Sequence, residues 1–408
     1  MINVGYLKMR DILIIAPFTR DIDMFKSDRF HFIADELSHM NVSVELITSS
    51  FSHLKKEHRK INKKTFNGID YKVTMLYEPG YKENIGIDRL ISHYKFSKSL
   101  NEYLKKRKKA DVIYCAVPPL DSAMVAATYA KMKMVPFIID IQDLWPEAFE
   151  MIFNVPVIKD ILFYPIYQKA NYVYSSADMI IAVSKTYADR ALSVNKRCVR
   201  AEVVFLGTDL EYFDMLGREK SILDKTNNEI WIVYIGTLGH SYNIKNVIDA
   251  IGLIKDRFNV RFIVMGDGPL KNKFEDYARK KNVPAIFTGW LERSSMIGIL
   301  KVCDIAVNPI RHGAAGSIIN KHADYAAAGL PILNTQECAE YVQLIQRYNA
   351  GMNCKCDDAK DLAEKMEQLC KNRALRENMS QNSRRLAEAK FNRRKTYKII
   401  TELILNIK

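Results

Sequence analysis

Apolar runs of four to six residues alternate with helix-period segments from start to end of the chain. DILIIAP (11–17), VSVELIT (42–48), DYKVTML (70–76), DVIYCAV (111–117), PFIIDI (136–141), DMIIAV (178–183) and AEVVFL (201–206) predict strands. Helical patterns fall between most of them, at 27–40, 87–108, 122–133 and 159–174. Hydrophobicity within the runs is continuous rather than alternating, so the strands are covered on both faces. That implies a mostly parallel sheet flanked by helices. The polar stretch LGREKSILDKTNNE (216–229) interrupts the pattern, which resumes with IWIVYIG (230–236), VRFIVMG (260–266), AIFTG (285–289), DIAVNP (304–309) and PILNT (331–335). The expectation is an α/β chain of two doubly wound domains, 1–215 and 216–390, with a last helical segment, 391–408, packing back on the first. Ligands of such sheets bind beyond the strand C-termini, so a ligand in a central cleft would touch both domains.

With 408 residues, 48% hydrophobic and 26% charged, the composition is that of a folded chain rather than a disordered or fibrous one. Its apolar runs fall well short of the ~20 residues of a membrane-spanning helix, and the N-terminus has no signal-peptide core. A cytoplasmic location is expected. Seven scattered cysteines carry neither a disulfide framework nor zinc spacing. The formal charge of +14 is concentrated in the first half, in KKEHRKINKK (55–64) and KKRKK (105–109). Such clusters are either solvated helix ends or attractive patches for an anionic surface. With no zinc-finger, RNP or helix-turn-helix signal beside them, peripheral contact with anionic membrane is favoured over nucleic acid.

The most informative stretch is NPIRHGAAGSIINKHADYAAAGLP (308–331). A strand ends, a loop with Gly313 and Gly316 follows, and a helix from about Ser317 is closed by Gly329. Glycines and a helix start together form an anion cradle. Lys321 lies near the positive end of the helix dipole, a placement that makes sense beside a bound anion. Asp324 and Tyr325 follow on the same face. A lysine for phosphate and a carboxylate for hydroxyls suit a nucleotide sugar; the plain alternative is a surface ion pair.

Here the chain resembles the family 4 retaining glycosyltransferases of the GT-B fold, and among them the bacterial capsule and O-antigen enzymes with a DLWPE segment. The likeness rests on IIDIQDLWPEAFE (138–150), SSADMIIAVS (175–184), VVFLGTDLEYF (203–213), YIGTLGHSYNIKNVIDAI (234–251), VMGDGP (264–269), FTGW (287–290) and NKHADYAAAGLP (320–331), in that order. It implies transfer of a sugar, with retained configuration, from a nucleotide-sugar donor, by family habit a UDP-sugar, to an acceptor held largely by the first domain. The acceptor would be isoprenoid-diphosphate-linked and met at the inner face of the plasma membrane. No cofactor or metal is implied. Lys321 matches the phosphate-binding lysine and Asp324 the ribose-binding carboxylate. Gly236, Thr237 and Gly239 form a loop facing the phosphates, with Gly266 and Gly268 as the next such turn. Trp290 either stacks on the base or fills the core. Arg311, Gly313, Gly316 and Ser317 complete the donor side, with His312 or Lys245 as possible helpers.

On the acceptor side, the resemblance implies Asp143 as the principal carboxylate, orienting the acceptor hydroxyl or stabilising charge on the sugar; helix capping is the plain alternative. Glu147, Asp209 and Arg29 are further candidates. The chain departs from the family pattern at three points. Gly316 stands where relatives have an acidic residue, Thr237 follows Gly236 where arginine is common, and Gln142 replaces a histidine. An amide cannot accept a proton at neutral pH, which removes a general base there. Asp21-Ile22-Asp23 spells a metal-binding D-x-D but lies far in sequence from the donor domain. Two rivals to a transferase remain: a binding protein that has lost its chemistry, and a nucleotide-sugar epimerase.

Overall fold

The computed structural model describes residues 9–21, 28–60, 68–84, 86–147, 156–314 and 317–408, with 156–162 described by backbone alone. The chain divides into two compact units, Met1–Val204 with Tyr397–Lys408, and Phe205–Thr396.

The first unit is built on seven strands: β1 (Asp11–Ile15), β2 (Ser43–Ser49), β3 (Lys72–Leu76), β4 (Val112–Val117), β5 (Phe137–Ile141), β6 (Met179–Ala182) and β7 (Ala201–Val203). They lie in the order β3-β2-β1-β4-β5-β6-β7, every pair parallel. Winding outward in both directions from β1 puts a topological switch between β1 and β4, where ligands of this architecture bind. All six residues of β4 and all five of β5 are buried, which accounts for their unbroken apolar runs.

One polar residue interrupts that apolarity. Asp140, fully buried in β5, receives Arg29 Nε at 2.7 Å and Nη2 at 3.2 Å, Gln142 Nε2 at 2.7 Å, and the hydroxyl of Tyr114. Arg29 also donates to the Val204 carbonyl at 3.2 Å and lies 4.6 Å from the Tyr397 ring. The expectation that Arg29 meets an acceptor is therefore corrected: the guanidinium is a core group. Burial selects this arrangement, because a carboxylate inside a sheet requires a full set of donors.

The second unit repeats the winding with β8 (Ile230–Ile235), β9 (Val260–Met265), β10 (Ala285–Gly289), β11 (Ile305–Asn308), β12 (Ile332–Asn334) and β13 (Gly351–Asn353). The order is β10-β9-β8-β11-β12-β13, again wholly parallel, with its switch between β8 and β11. The three residues of β13, Gly-Met-Asn, carry no apolar run and escape detection in the sequence.

The break between units falls at 204/205 rather than in the polar stretch 216–229. The physical reason is the helix Leu210–Leu216, whose Leu210 and Phe213 join Trp231, Ile297 and Phe391 in one core. The terminal segment is not one helix: Arg393–Thr396 ends the second unit, while Lys398–Asn406 packs Ile400 and Ile404 with Phe32 and Ile33 of the first.

Replacing Asp140 by Asn keeps the shape and removes the charge that holds Arg29. The unfolding transition of the first unit, followed in urea, is expected to lose about 3 kcal/mol.

Candidate functional site

The site residues of the second unit lie beyond the C-terminal ends of β8, β9 and β11. The loop after β8 is fixed by backbone pairing: Gly236 N–H donates to the Met265 carbonyl at 2.9 Å, and Leu238 N–H to that of Asp267 at 2.8 Å. The glycines of the neighbouring loop make this possible. A Cβ on Gly266 would stand 2.0 Å from the Gly236 carbonyl oxygen, and one on Gly268 would stand 2.6 Å from that of Leu238. Both have positive φ, 146° and 155°. Close packing of the two loops therefore accounts for glycine at 266 and 268. Among the described residues, the N–H groups of Thr237 and Gly239 have no hydrogen-bond partner in the fold.

Lys321 is the second residue of the helix Asn320–Ala327 and is 7% exposed. Its Nζ has no hydrogen-bond partner among the described residues. It lies 4.2 Å from the ring centre of Tyr234 and 3.9 Å from that of Tyr242. Burial pushes its pKa well below 10.5. A Cβ on Gly236 would come within 3.1 Å of this nitrogen, so the glycine leaves room for the ammonium at the mouth of the loop. The first-turn amides of a helix also lack intrahelical acceptors. A cation, loop amides and a helix start thus converge where, among the described residues, the ammonium meets π-faces and no hydrogen-bond acceptor, and π-faces stabilise an ammonium far less than a carboxylate or phosphate does.

Behind Lys321 stands His322, also buried. Its Nδ1 accepts from Ile319 N–H at 3.0 Å, its Nε2 contacts Asn308 Nδ2 at 2.9 Å, and its ring stacks on Tyr341 at 3.8 Å. Burial, then the charge of Lys321, drives its pKa well below 6.5, so it is neutral and props the helix start. Asp324 receives Arg293 Nη2 at 2.9 Å, and the same nitrogen reaches Thr208 Oγ1 at 2.9 Å. The expected ribose carboxylate is thus already paired. Neither Arg293 nor the two tyrosine walls was marked by a glycine or a charge cluster; their only trace was the positions of Tyr234 and Tyr242 on either side of the glycine loop.

The remaining donor-side candidates scatter. Trp290, directly after β10, is 57% exposed, which removes the core-filling alternative. Ser317 is buried and its carbonyl accepts Gln336 Nε2 at 2.7 Å. Arg311 is exposed, Gly313 has open space around it, and Gly316 lies outside the described residues. His312 pairs with exposed Glu337, and Lys245 covers the Tyr277 ring.

In the first unit, Asp143 follows β5 at the sheet's C-terminal edge and accepts from Leu144 N–H at 3.0 Å and Tyr187 Oη at 3.2 Å. Burial raises its pKa, against the pull of these hydrogen bonds. Gln142 is committed to Asp140, and Glu147 pairs with Arg190 at 2.5 Å. Asp209, in the second unit, caps the helix Leu210–Leu216 and binds Arg394 at 2.8 Å, so its acceptor assignment gives way to a structural one. Asp21 of the D-x-D is paired with Lys55 and Arg59, and Ile22 and Asp23 lie outside the described residues.

Residues 217–386 match the model of the glycosyl transferases group 1 family. An uncharacterized glycosyltransferase of Methanocaldococcus jannaschii is 26% identical over 249 residues, 57% of this chain; the match spans only 60% of that relative's length. Two solved structures share the fold at a TM-score of 0.67. One is the Anabaena protein HepE in complex with UDP and glucose, 12% identical, covering 97% of this chain and 99% of that one. The other is WaaG, a glycosyltransferase involved in lipopolysaccharide biosynthesis, 14% identical, covering 97% and 100%. The fold is GT-B, and the part of the chain that matches the group 1 glycosyl transferase model lies within the second unit.

An unpartnered buried ammonium costs stability. Lys321→Met is therefore expected to raise the stability of the second unit by about 1 kcal/mol near neutral pH. Because the folded pKa lies below the unfolded one, the unfolded chain binds the extra proton between them, so the parent's stability rises with pH in that window. The advantage of Lys321→Met should shrink toward pH 10.5 in denaturation series.

Proposed function

We propose that this chain is a retaining glycosyltransferase that moves a sugar from a nucleotide-sugar donor, a UDP-sugar, to an isoprenoid-diphosphate-linked acceptor in bacterial surface polysaccharide synthesis. One observation carries the donor half: the Lys321 ammonium, buried with no acceptor among the described residues, at the mouth of the loop that holds the open amides of Thr237 and Gly239. A diphosphate supplies what the site lacks. As the bond to the sugar breaks, negative charge grows on the leaving phosphate, and Lys321 with these amides stabilises it in place. Trp290 offers an exposed ring face for the base. Nucleotide binding by HepE in the same fold supports this class of donor, and WaaG's role in lipopolysaccharide synthesis supports this class of product.

Asp143 is the acceptor-side group in this reading. Burial holds its carboxyl above the ordinary range, which suits a group that orients a hydroxyl and takes up its proton late in the transfer. The acceptor's lipid requires a membrane surface. The helix Ile87–Lys106 exposes Ile87 (74%), Leu90, Ile91 and Tyr94 along one stripe, with Lys95 and Lys98 beside it. Further on, Lys105, Lys106, Lys108 and Lys109 are exposed, whereas Arg107 is not available: it holds Asp11 at 2.8 Å and Glu45 at 2.6 Å. Among the described residues no helix is long and apolar enough to cross a membrane, so the reading is peripheral attachment to the inner face of the plasma membrane.

Asp324, already occupied by Arg293, favours the rival of a binding protein without turnover. The two separate cleanly by UDP release from UDP-sugars in the presence of lipid extract. Lys321→Ala is expected to lower release by about a hundredfold and to weaken UDP binding, with the melting profile intact. Binding without release in the parent chain would establish the rival, and unchanged release in the variant would move the donor site elsewhere. For the membrane half, Ile87→Ser with Ile91→Ser should weaken co-sedimentation with anionic phospholipid vesicles about tenfold and leave neutral-vesicle binding low.

A further inference from the structure

The first unit carries a second cluster of cations and rings that the donor site does not use. It gathers at the C-terminal edge of its sheet. Phe18 follows β1, His53 and Lys56 sit in the short hairpin after β2, Tyr81 follows β3, Arg89 and His93 lie on the helix Ile87–Lys106, and Trp145 follows β5. His93 is 3% exposed, with ring centres 5.3 Å from Phe18, 5.6 Å from Tyr81 and 5.7 Å from Trp145, the last stacked. Its Nε2 is buried without a hydrogen-bond partner among the described residues, as is Nε of Arg89. The Arg89 guanidinium lies 4.6 Å from the Trp145 ring. Lys56 Nζ stands 3.4 Å from His53 Nδ1 and 4.6 Å from the Tyr81 ring.

We propose that this cluster binds an oxyanion carried by the acceptor, a phosphate or a sugar carboxylate, between Arg89, Lys56 and His93 Nε2, with Phe18 and Trp145 as its aromatic walls. The proposal rests on the transferase reading and specifies its acceptor. Two features set the cluster apart from an ordinary core. First, polar atoms inside aromatic walls are left without partners, a costly arrangement unless a ligand completes it. Second, Arg89 and Lys56 repel each other inside the cluster, and burial with that repulsion lowers Lys56 in spite of the opposing pull of Glu83 and Glu78. Burial and the neighbouring cations hold both histidines down to about 3, and burial with Arg89 lowers Lys56 to about 8. The acids that act on these cations, Glu78 and Glu83 on Lys56 and Asp143 and Glu78 on Arg89, do so through their charge; Glu78 accepts the Ser92 hydroxyl at 2.8 Å, Asp143 accepts from Leu144 and Tyr187, and the neutral Asn84 offers its amide oxygen to Lys56 and its carbonyl to Arg89. An entering oxyanion relieves the repulsion and satisfies both orphan nitrogens. Trp145 stands two residues from Asp143, which puts the anion site beside the acceptor-side carboxylate.

The test follows the histidine ring resonances of the full-length chain, with His93 identified by its loss in His93→Gln, during titration with inorganic pyrophosphate and separately with glucuronate. Lys321→Ala serves as a second background so that the donor site contributes nothing. Movement of the His93 signal by pyrophosphate alone supports the site and assigns it to a lipid diphosphate; movement by glucuronate alone supports it and assigns it to an acidic sugar; movement by both supports a general oxyanion site. In each case Arg89→Gln and, independently, the less buried Lys56→Gln should weaken the effect about tenfold without lowering the melting temperature of the chain. A silent His93 with both probes, or undiminished binding in both variants, overturns the proposal. Anion binding here without UDP release would leave this site standing while the transferase reading fell.

Discussion

A buried ammonium with no hydrogen-bond acceptor among the described residues, held beside the faces of Tyr234 and Tyr242, is the constraint on which the second unit's site depends. Its cost is borne by the surrounding fold, and each neighbouring feature can be read as permitting it. Gly236 lacks the Cβ that would press on Nζ, and Gly266 and Gly268 let the adjoining loop lie flat against the first. His322, kept neutral by burial and by Lys321 itself, adds no second charge and pins the start of the helix. Remove any of these and either the ammonium moves toward solvent or the amides turn away from it. A cation stabilised by nothing but π-faces is poised to be stabilised much more by an anion, and that difference is the free energy available for holding a leaving diphosphate.

Its counterpart in the first unit shows the opposite solution. Arg29 is just as buried as Lys321 but has a carboxylate, a carbonyl and a ring around it. Asp140 in turn has donors from Arg29, Tyr114 and Gln142. The same residue class thus has two meanings that burial alone does not separate. A buried cation with its acceptors in place specifies the packing of a sheet; one without them specifies a ligand. This criterion removes Arg29 from the acceptor side and Arg107 from the basic face, because each holds its carboxylates, and among the described residues it marks the Lys321 ammonium, whose nitrogen has no hydrogen-bond acceptor.

That criterion also explains what the sequence does and does not disclose. Among the described residues, twelve of the thirteen strands of the two parallel sheets are legible because a strand covered on both faces must be apolar throughout, and the missing one, Gly351–Asn353, is too short and too polar to show it. Lys321 is legible because its position at a helix start is anomalous on electrostatic grounds. Arg29 misleads because its partner, Asp140, is 111 residues away and itself looks like part of an apolar run. The unit boundary misleads for a related reason: the polar stretch 216–229 resembles a linker, yet Leu210 and Phe213 before it are already fixed in the second core. Local pattern reports burial well and partnership poorly, because partners are chosen by topology.

The anion cluster of the first unit illustrates the limit. Phe18, His53, Lys56, Arg89, His93 and Trp145 are spread over 128 residues, and no pair of them forms a motif. They meet because a sheet wound outward from β1 delivers the ends of β1, β2, β3 and β5 to one edge, with one helix closing over them. Once there, four groups that can bear positive charge, His53, Lys56, Arg89 and His93, must share a low-dielectric volume with aromatic rings, and the repulsion that Glu78, Glu83 and Asp143 leave uncompensated is relieved by lost protons or by an added anion. Lost protons account for the two histidines. They do not account for Arg89, whose guanidinium stays charged at any pH the protein meets, and it is that residual charge which makes a bound oxyanion the stable completion of the cluster.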